Sequence, residues 1–191
     1  PPRSTLFPYT TLFRSLRVFD PAAGHGRYLV EALQALPERP QSLLLRDLDA
    51  ANVAHARALL DAAGLADVAR CETGDAFAEA ELAALKPQPN LVTVSGLYEL
   101  FSDNELVSAS LRGLAQASER GGYLIYTGQP WHPQLELIAR TLTSHRGHQP
   151  WIMRRRTQAE IDELVRVAGF SKVAQWIDDW GMFSVSLARR D

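Results

Sequence analysis

Asp20, Gly24, Gly26 and Asp47 are the residues of this chain whose types and spacing can do chemistry. The apolar run Leu16-Arg17-Val18-Phe19 ends in an acid, two glycines one residue apart follow, and Arg27 to Ala35 reads as a helix. A strand that turns sharply into a helix presents that helix's first backbone N–H groups to a ligand, and glycine lets the backbone approach closely. Asp47 closes the next apolar run, Leu43-Leu44-Leu45, at the distance where open α/β folds set a carboxylate on a ribose hydroxyl. Asp75 follows a third strand-like run. Three acids at the carboxyl ends of successive strands mark the edge where such sheets bind ligands. Each also has a plainer role, since an acid after a strand caps a turn and Asp49 competes with Asp47 for the start of the next helix.

The elements that must position these residues alternate. Strands are expected at about 16–19, 43–46, 68–72, 91–94 and 123–127, separated by helices near 27–36, 50–63, 78–85 and 103–118. Asp103 is an N-cap candidate, and Pro37, Pro40 and Gly64 are stops. A longer connection then carries a helix-like piece at 134–142. Thr157 and Glu160 form a capping-box pattern ahead of a helix over 158–168, and strands at 173–177 and 183–188 close the chain as a hairpin. Alternating strands and helices predict an α/β fold, a Rossmann-like, doubly wound sheet of seven strands, mostly parallel with an antiparallel C-terminal pair.

The chain has 191 residues, 46% hydrophobic and 22% charged, which suits one domain with a sizeable core. A net charge of −2 leaves no electrostatic footprint for nucleic acid or an anionic membrane. The single Cys71 permits no internal disulfide, and no apolar run approaches the ~20 residues of a membrane span, so a cytoplasmic location is expected. Residues 1–15 have no periodicity and resemble the translation of a sequencing adapter, so the domain is read as 16–191. Deleting the leader is expected to leave stability unchanged.

The run Asp20-Pro21-Ala22-Ala23-Gly24-His25-Gly26 resembles the first cofactor motif, DxAxGxG, of class I methyltransferases that use S-adenosyl-L-methionine. A nicotinamide or flavin fingerprint wants a third small residue where this chain has Leu29, which disfavours a nucleotide-dependent oxidoreductase. The runs 22–28, 95–101 and 126–134 together resemble a bacterial family of methyltransferases often found C-terminal to an α/β-hydrolase domain, and 151–160 also looks family-like. This chain has no GxSxG elbow of its own. The resemblance implies S-adenosyl-L-methionine as cofactor. It implies Asp20, Ala22, Gly24, His25 and Gly26 along the methionine part, Asp47 on the ribose, Asp75 and Ala76 on the adenine, and Ser95 beside them. It also implies helices ahead of the first strand, so the chain reads as N-terminally truncated. An inactive cofactor-fold binding module is the non-enzymatic alternative.

The same resemblance implies methyl transfer to a small-molecule or lipid-like acceptor at the ends of strands four and five. The run Ser95-Gly96-Leu97-Tyr98-Glu99 lacks the Asn/Asp-Pro-Pro-aromatic motif of amide and adenine methylation. Glu99 or His132 is placed to take a proton from a hydroxyl, and Tyr98 and Trp131 to wall an apolar pocket. Their plainer readings are a helix-start charge, a turn residue between prolines, and core packing. His145 and His148 do not have metal-site neighbours, and His55 reads as surface. Arg154-Arg155-Arg156 reads as a solvated run, and Trp151, Trp176 and Trp180 as core or strand-face residues.

Overall fold

Strands of four to eight residues assemble into one seven-stranded sheet in a computed structural model that describes residues 15–143 and 150–191. The strands are β1 (Arg17–Asp20), β2 (Ser42–Asp47), β3 (Ala69–Thr73), β4 (Leu91–Val94), β5 (Tyr123–Gly128), β6 (Phe170–Ile177) and β7 (Ser184–Arg190). Their order is β3-β2-β1-β4-β5-β7-β6. The first five are parallel, while β7 runs antiparallel to both β5 and β6. Only β7 therefore opposes the rest. The chain winds outward from β1 to β3, returns, and winds the other way from β4, which leaves a crevice at the β1/β4 switch.

The helices are α1 (Arg27–Gln34), α2 (Ala50–Ala62), α3 (Glu79–Ala83), α4 (Asn104–Ala117), α5 (Leu135–Thr141) and α6 (Gln158–Val167), with a 3-10 turn at Tyr98–Leu100. On one face α1 and α2 pack Leu29, Val30, Leu33, Val53 and Leu60 against Val18, Leu43 and Leu45. On the other, Val107, Leu111 and Leu114 of α4 and Ile161 and Val165 of α6 cover Phe19, Val92, Leu124 and Tyr126. Fully burying each such side chain contributes about 1.5–3 kcal/mol. Asp103 caps α4 by accepting from Glu105 N–H at 2.8 Å, as its position predicts. Thr157 caps α6, accepting from Glu160 N–H at 3.1 Å. The Glu160 carboxylate accepts instead from Asn104 and Arg154, so only half of the capping box forms.

The structure corrects the C-terminal hairpin. β6 begins at Phe170, directly after Gly169, and a register shift between Lys172 and Ala174 breaks the alternation that would reveal its first turn of pairing. Trp176, 59% exposed, is a strand-face residue of β6, one of the two roles expected of it, whereas Trp180, 79% exposed, lies in the turn between β6 and β7 and has neither. His145 and His148 lie outside the described residues, as does nearly all of the leader.

Candidate active site

The turn after β1 is clamped onto the end of β2. Ala23 N–H donates to the Arg46 carbonyl at 2.8 Å, and Gly24 N–H donates to Asp47 Oδ2 at 2.9 Å. The other Asp47 oxygen, Oδ1, accepts from Asp49 N–H at 2.9 Å and from Asn52 Nδ2 at 3.0 Å, which joins it to the start of α2. Asp49 itself caps that helix on Ala51 N–H at 2.8 Å. The two acids therefore divide the work that the sequence leaves open between them. A carboxylate offers about four accepting positions, and one on Asp47 Oδ2 stays available.

Gly24 and Gly26 both have positive φ, +56° and +70°, but they do different things. A Cβ on Gly24 meets nothing within 4 Å. A Cβ on Gly26 falls 2.6 Å from Leu45 Cδ1. Gly24 leaves the space at the cleft open, whereas Gly26 lets α1 start against Leu45 of β2.

A cleft of about 580 Å³ opens at this edge. Ala22, Gly24 and Asp47 form one side, with Leu48, Asp49 and Asn52 continuing it along α2. Asp75, Ala76 and Phe77 close the far end, where Asp75 Oδ1 accepts from Phe77 N–H at 2.9 Å and fixes the turn after β3. Gly96, Leu97, Leu100 and Phe101 form the wall after β4, and Phe77 meets Phe101 edge to face at 4.5 Å. Five of the nine residues assigned to cofactor, Ala22, Gly24, Asp47, Asp75 and Ala76, thus converge on one cleft. Ser95, His25, Gly26 and Asp20 do not line it. His25 is exposed and its ring stacks on His55 at 4.7 Å.

Asp20 is fully buried and its carboxylate turns inward. It accepts from Ala22 N–H at 2.9 Å, from Thr93 Oγ1 at 2.5 Å and from the Tyr28 hydroxyl. Burial pushes its pKa up to about 6, against the pull of those three donors. Burial, together with the Asp20 charge, pushes the Tyr28 hydroxyl up as well. Thr93 carries the signal that sequence reading overlooked: a hydroxyl in the middle of a buried Val-rich strand needs a partner.

The residues after β4 and β5 separate. Tyr98 points into the core, 2% exposed, with its hydroxyl 3.0 Å from Ser110 Oγ. Glu99 Oε1 accepts from Thr127 Oγ1 at 3.2 Å, while Oε2 is buried without a partner among the described residues. Burial raises the Glu99 pKa, opposed by Thr127 and by the charges of Arg155 and Arg156. His132 Nδ1 accepts from Gln134 N–H at 3.1 Å, and Trp131 is exposed. The three arginines are not a solvated run. Arg156 is buried and donates to the Tyr98 carbonyl at 2.6 Å, the Phe101 carbonyl at 2.9 Å and Asn104 Oδ1 at 2.8 Å. Arg154 donates to the Ser102 carbonyl at 2.9 Å, and Arg155 to Gln129. Arg154 and Arg156 hold the loop that walls the cleft. No group of three or more His, Cys, Asp or Glu suited to a metal occurs among the described residues.

A sheet of this order with its crevice at the β1/β4 switch, and acids at the ends of β1, β2 and β3, is the class I methyltransferase architecture. The chain belongs to the family described as "Putative methyltransferase", whose model matches residues 6–190. It is 56% identical over 178 residues to the uncharacterized protein YnbC of Escherichia coli (strain K12), covering 93% of this chain and 30% of that protein. The chain thus spans about a third of that relative's length. Among solved structures, an O-methyltransferase family protein from Burkholderia thailandensis superposes with a TM-score of 0.73 at 18% identity, over 95% of this chain and 53% of that one. Magnesium protoporphyrin IX methyltransferase from Synechocystis PCC 6803, solved with bound SAH, gives 0.69 at 19% identity, over 93% and 74%. No helix among the described residues is long and apolar enough to cross a membrane.

Proposed function

We propose that this chain transfers a methyl group from S-adenosyl-L-methionine to a small-molecule or lipid-like acceptor, in the cytoplasm, as one domain of a longer protein with an α/β-hydrolase domain upstream. The observation that carries the reading is Asp47: its carboxylate spans the glycine turn and the start of α2, and keeps one accepting position at the cleft wall. That position suits a ribose hydroxyl. The second Asp75 oxygen, at the far end of the cleft, suits an adenine amino group. When bound, the cofactor supplies an electrophilic methyl on a sulfonium.

The chain's own work is then mostly positioning. Leu97, Leu100 and Phe101 give the acceptor an apolar wall that excludes water. Glu99, with a raised pKa, accepts the proton of a hydroxyl acceptor, and His132 is the second candidate base with Nε2 unengaged by the Gln134 contact. Tyr98 acts on the acceptor only through the loop it anchors in the core.

Titration calorimetry of the parent against S-adenosyl-L-methionine and against NAD(P) tests the cofactor. Saturable binding of the first and none of the second is expected. Binding of NAD(P) instead, or of neither, overturns the reading in favour of an oxidoreductase or a non-catalytic module. With an acceptor in hand, Glu99→Gln and His132→Ala should slow methylation while cofactor affinity stays at the parent's value. Full activity in both leaves positioning as the whole mechanism and removes the base.

A further inference from the structure

Two buried polar atoms have no partner among the described residues, Glu99 Oε2 and Arg155 Nε, and they belong to groups of opposite charge. Each group is engaged elsewhere. Glu99 Oε1 accepts from Thr127 Oγ1 at 3.2 Å, and Arg155 Nη1 donates to Oε1 of the buried Gln129. Arg155 Nη2 rests on the Met153 thioether at 3.5 Å, a weak acceptor. Burial pulls the Arg155 pKa down and the Glu99 charge opposes it, just as Arg155 opposes the rise at Glu99, so the two charges feel each other. Native folds satisfy nearly all buried polar atoms, and two left over in one cluster call for a partner from outside it.

A small cavity of about 10 Å³ lies here, lined by Tyr98, Glu99, Thr127, Gln129, Arg154 and Arg156. It adjoins the cleft, because Thr127 Oγ1, which donates to Glu99, also accepts at 2.8 Å from the N–H of Gly96 in the cleft wall. Its size admits one water-sized group, which a hydroxyl matches and a carboxylate or phosphate exceeds. Charge points the same way. An anion meets the Glu99 carboxylate, and an ammonium meets the guanidinium groups of Arg154 and Arg156. A hydroxyl donates one hydrogen bond and accepts two, so a single such group can give to Glu99 Oε2 and take from Arg155 Nε.

We propose that the methyl acceptor is an uncharged alcohol or phenol whose hydroxyl enters this cavity, and that Arg155 is a second catalytic residue, donating from Nε to the hydroxyl oxygen while Glu99 accepts its proton. This assignment rests on the methyl-transfer reading above. The O–H bond breaks and its proton passes to Glu99 Oε2. The oxygen's electron pair forms the bond to the methyl carbon, and the carbon–sulfur bond breaks with its pair left on sulfur, so the sulfonium ends as a neutral thioether. Arg155 stays protonated throughout and faces the oxygen as negative charge builds on it.

Saturation-transfer NMR with phenol, benzoate and benzylamine titrated onto the parent chain tests the proposal. Phenol is expected to bind roughly tenfold more tightly than either charged probe, as a site built to hydrogen-bond a hydroxyl requires. Glu99→Leu and Arg155→Met, which remove the acceptor and the donor at similar volume, should each weaken phenol binding about five- to tenfold. Arg155→Lys should recover part of that loss, and calorimetric affinity for S-adenosyl-L-methionine should keep the parent's value in all three variants. Should Glu99→Leu not fold, Glu99→Gln, which keeps the shape and loses the charge, takes its place. No phenol binding, phenol binding unchanged in the variants, or either charged probe binding as tightly as phenol overturns the proposal while the methyl-transfer reading stands. A parent chain that binds no S-adenosyl-L-methionine overturns that reading, and the catalytic role of Arg155 with it.

Discussion

Replacing Asp47 by alanine removes three internal hydrogen bonds and one proposed ligand contact at once, and the two effects can be separated. Internally, the carboxylate accepts from Gly24 N–H, Asp49 N–H and Asn52 Nδ2 at 2.9–3.0 Å. Asp47 is half-buried, so water replaces part of what is lost, and the expected destabilisation is about 1–3 kcal/mol in total. On the ligand side, one hydrogen bond to a charged group is worth roughly 1.5–3 kcal/mol, a roughly ten- to hundredfold rise in Kd for S-adenosyl-L-methionine. Asn52→Ala is the matched control: it cuts one internal bond and leaves the carboxylate in place, so affinity should fall far less. Calorimetric titration at a temperature where thermal denaturation shows both variants folded reads the two separately. An Asp47→Ala protein that is folded and binds the cofactor with the parent's affinity would refute the assignment of Asp47 to the ribose.

Other consequences follow from the same geometry. Gly24→Ala and Gly26→Ala should each lower stability by about 1–2 kcal/mol, because both glycines sit at positive φ, and Gly26→Ala should cost the more since its methyl also meets Leu45 Cδ1 at 2.6 Å; melting temperatures equal to the parent's in both variants would contradict this. Arg156→Met should destabilise by on the order of 2–4 kcal/mol, since the buried Tyr98 and Phe101 carbonyls lose their donor, and Arg156→Lys should recover only part, which chemical denaturation measures. Asp20 has its pKa raised to about 6 from an ordinary 3.8, so the folded state keeps a proton that the unfolded chain has released. Its contribution is therefore fully present below about pH 4 and is lost as pH rises towards 6. Asp20→Asn, which stays neutral, should gain stability relative to the parent across that window; parallel melting curves from pH 4 to 7 would show that Asp20 does not titrate there.

Strand and helix positions in the first two-thirds of the chain are readable because local signals agree. Apolar runs bounded by Gly, Pro and Asp set β1 to β5, and Asp103 caps α4 at the predicted place. The cleft acids are readable for the same reason, since a strand end is also a ligand edge. What escapes is whatever depends on partners remote in sequence. Arg156 reads as a surface charge until the Tyr98 and Phe101 carbonyls, more than fifty residues away, are brought to it. Gly26 and Gly24 are indistinguishable in a motif, and only Leu45 from β2 tells them apart. Asp20 sits in a ligand-binding pattern, yet Tyr28 and Thr93 turn it inward. The start of β6 is hidden by an irregular register that breaks the two-residue period.

The Arg156 contacts also couple α6 to the wall of the cleft. One guanidinium fixes the Tyr98 and Phe101 carbonyls, and with them the loop whose Leu97, Leu100 and Phe101 wall the cleft. That guanidinium is carried by the residue next to Thr157, the cap of α6. A small displacement of α6 is therefore delivered to the cleft wall, although no α6 residue lines the cleft. If the cleft takes the acceptor as proposed, substitutions at 150–160 should shift acceptor preference without any of those residues lining the cleft. Libraries built to redirect this protein should randomise that segment together with 95–101.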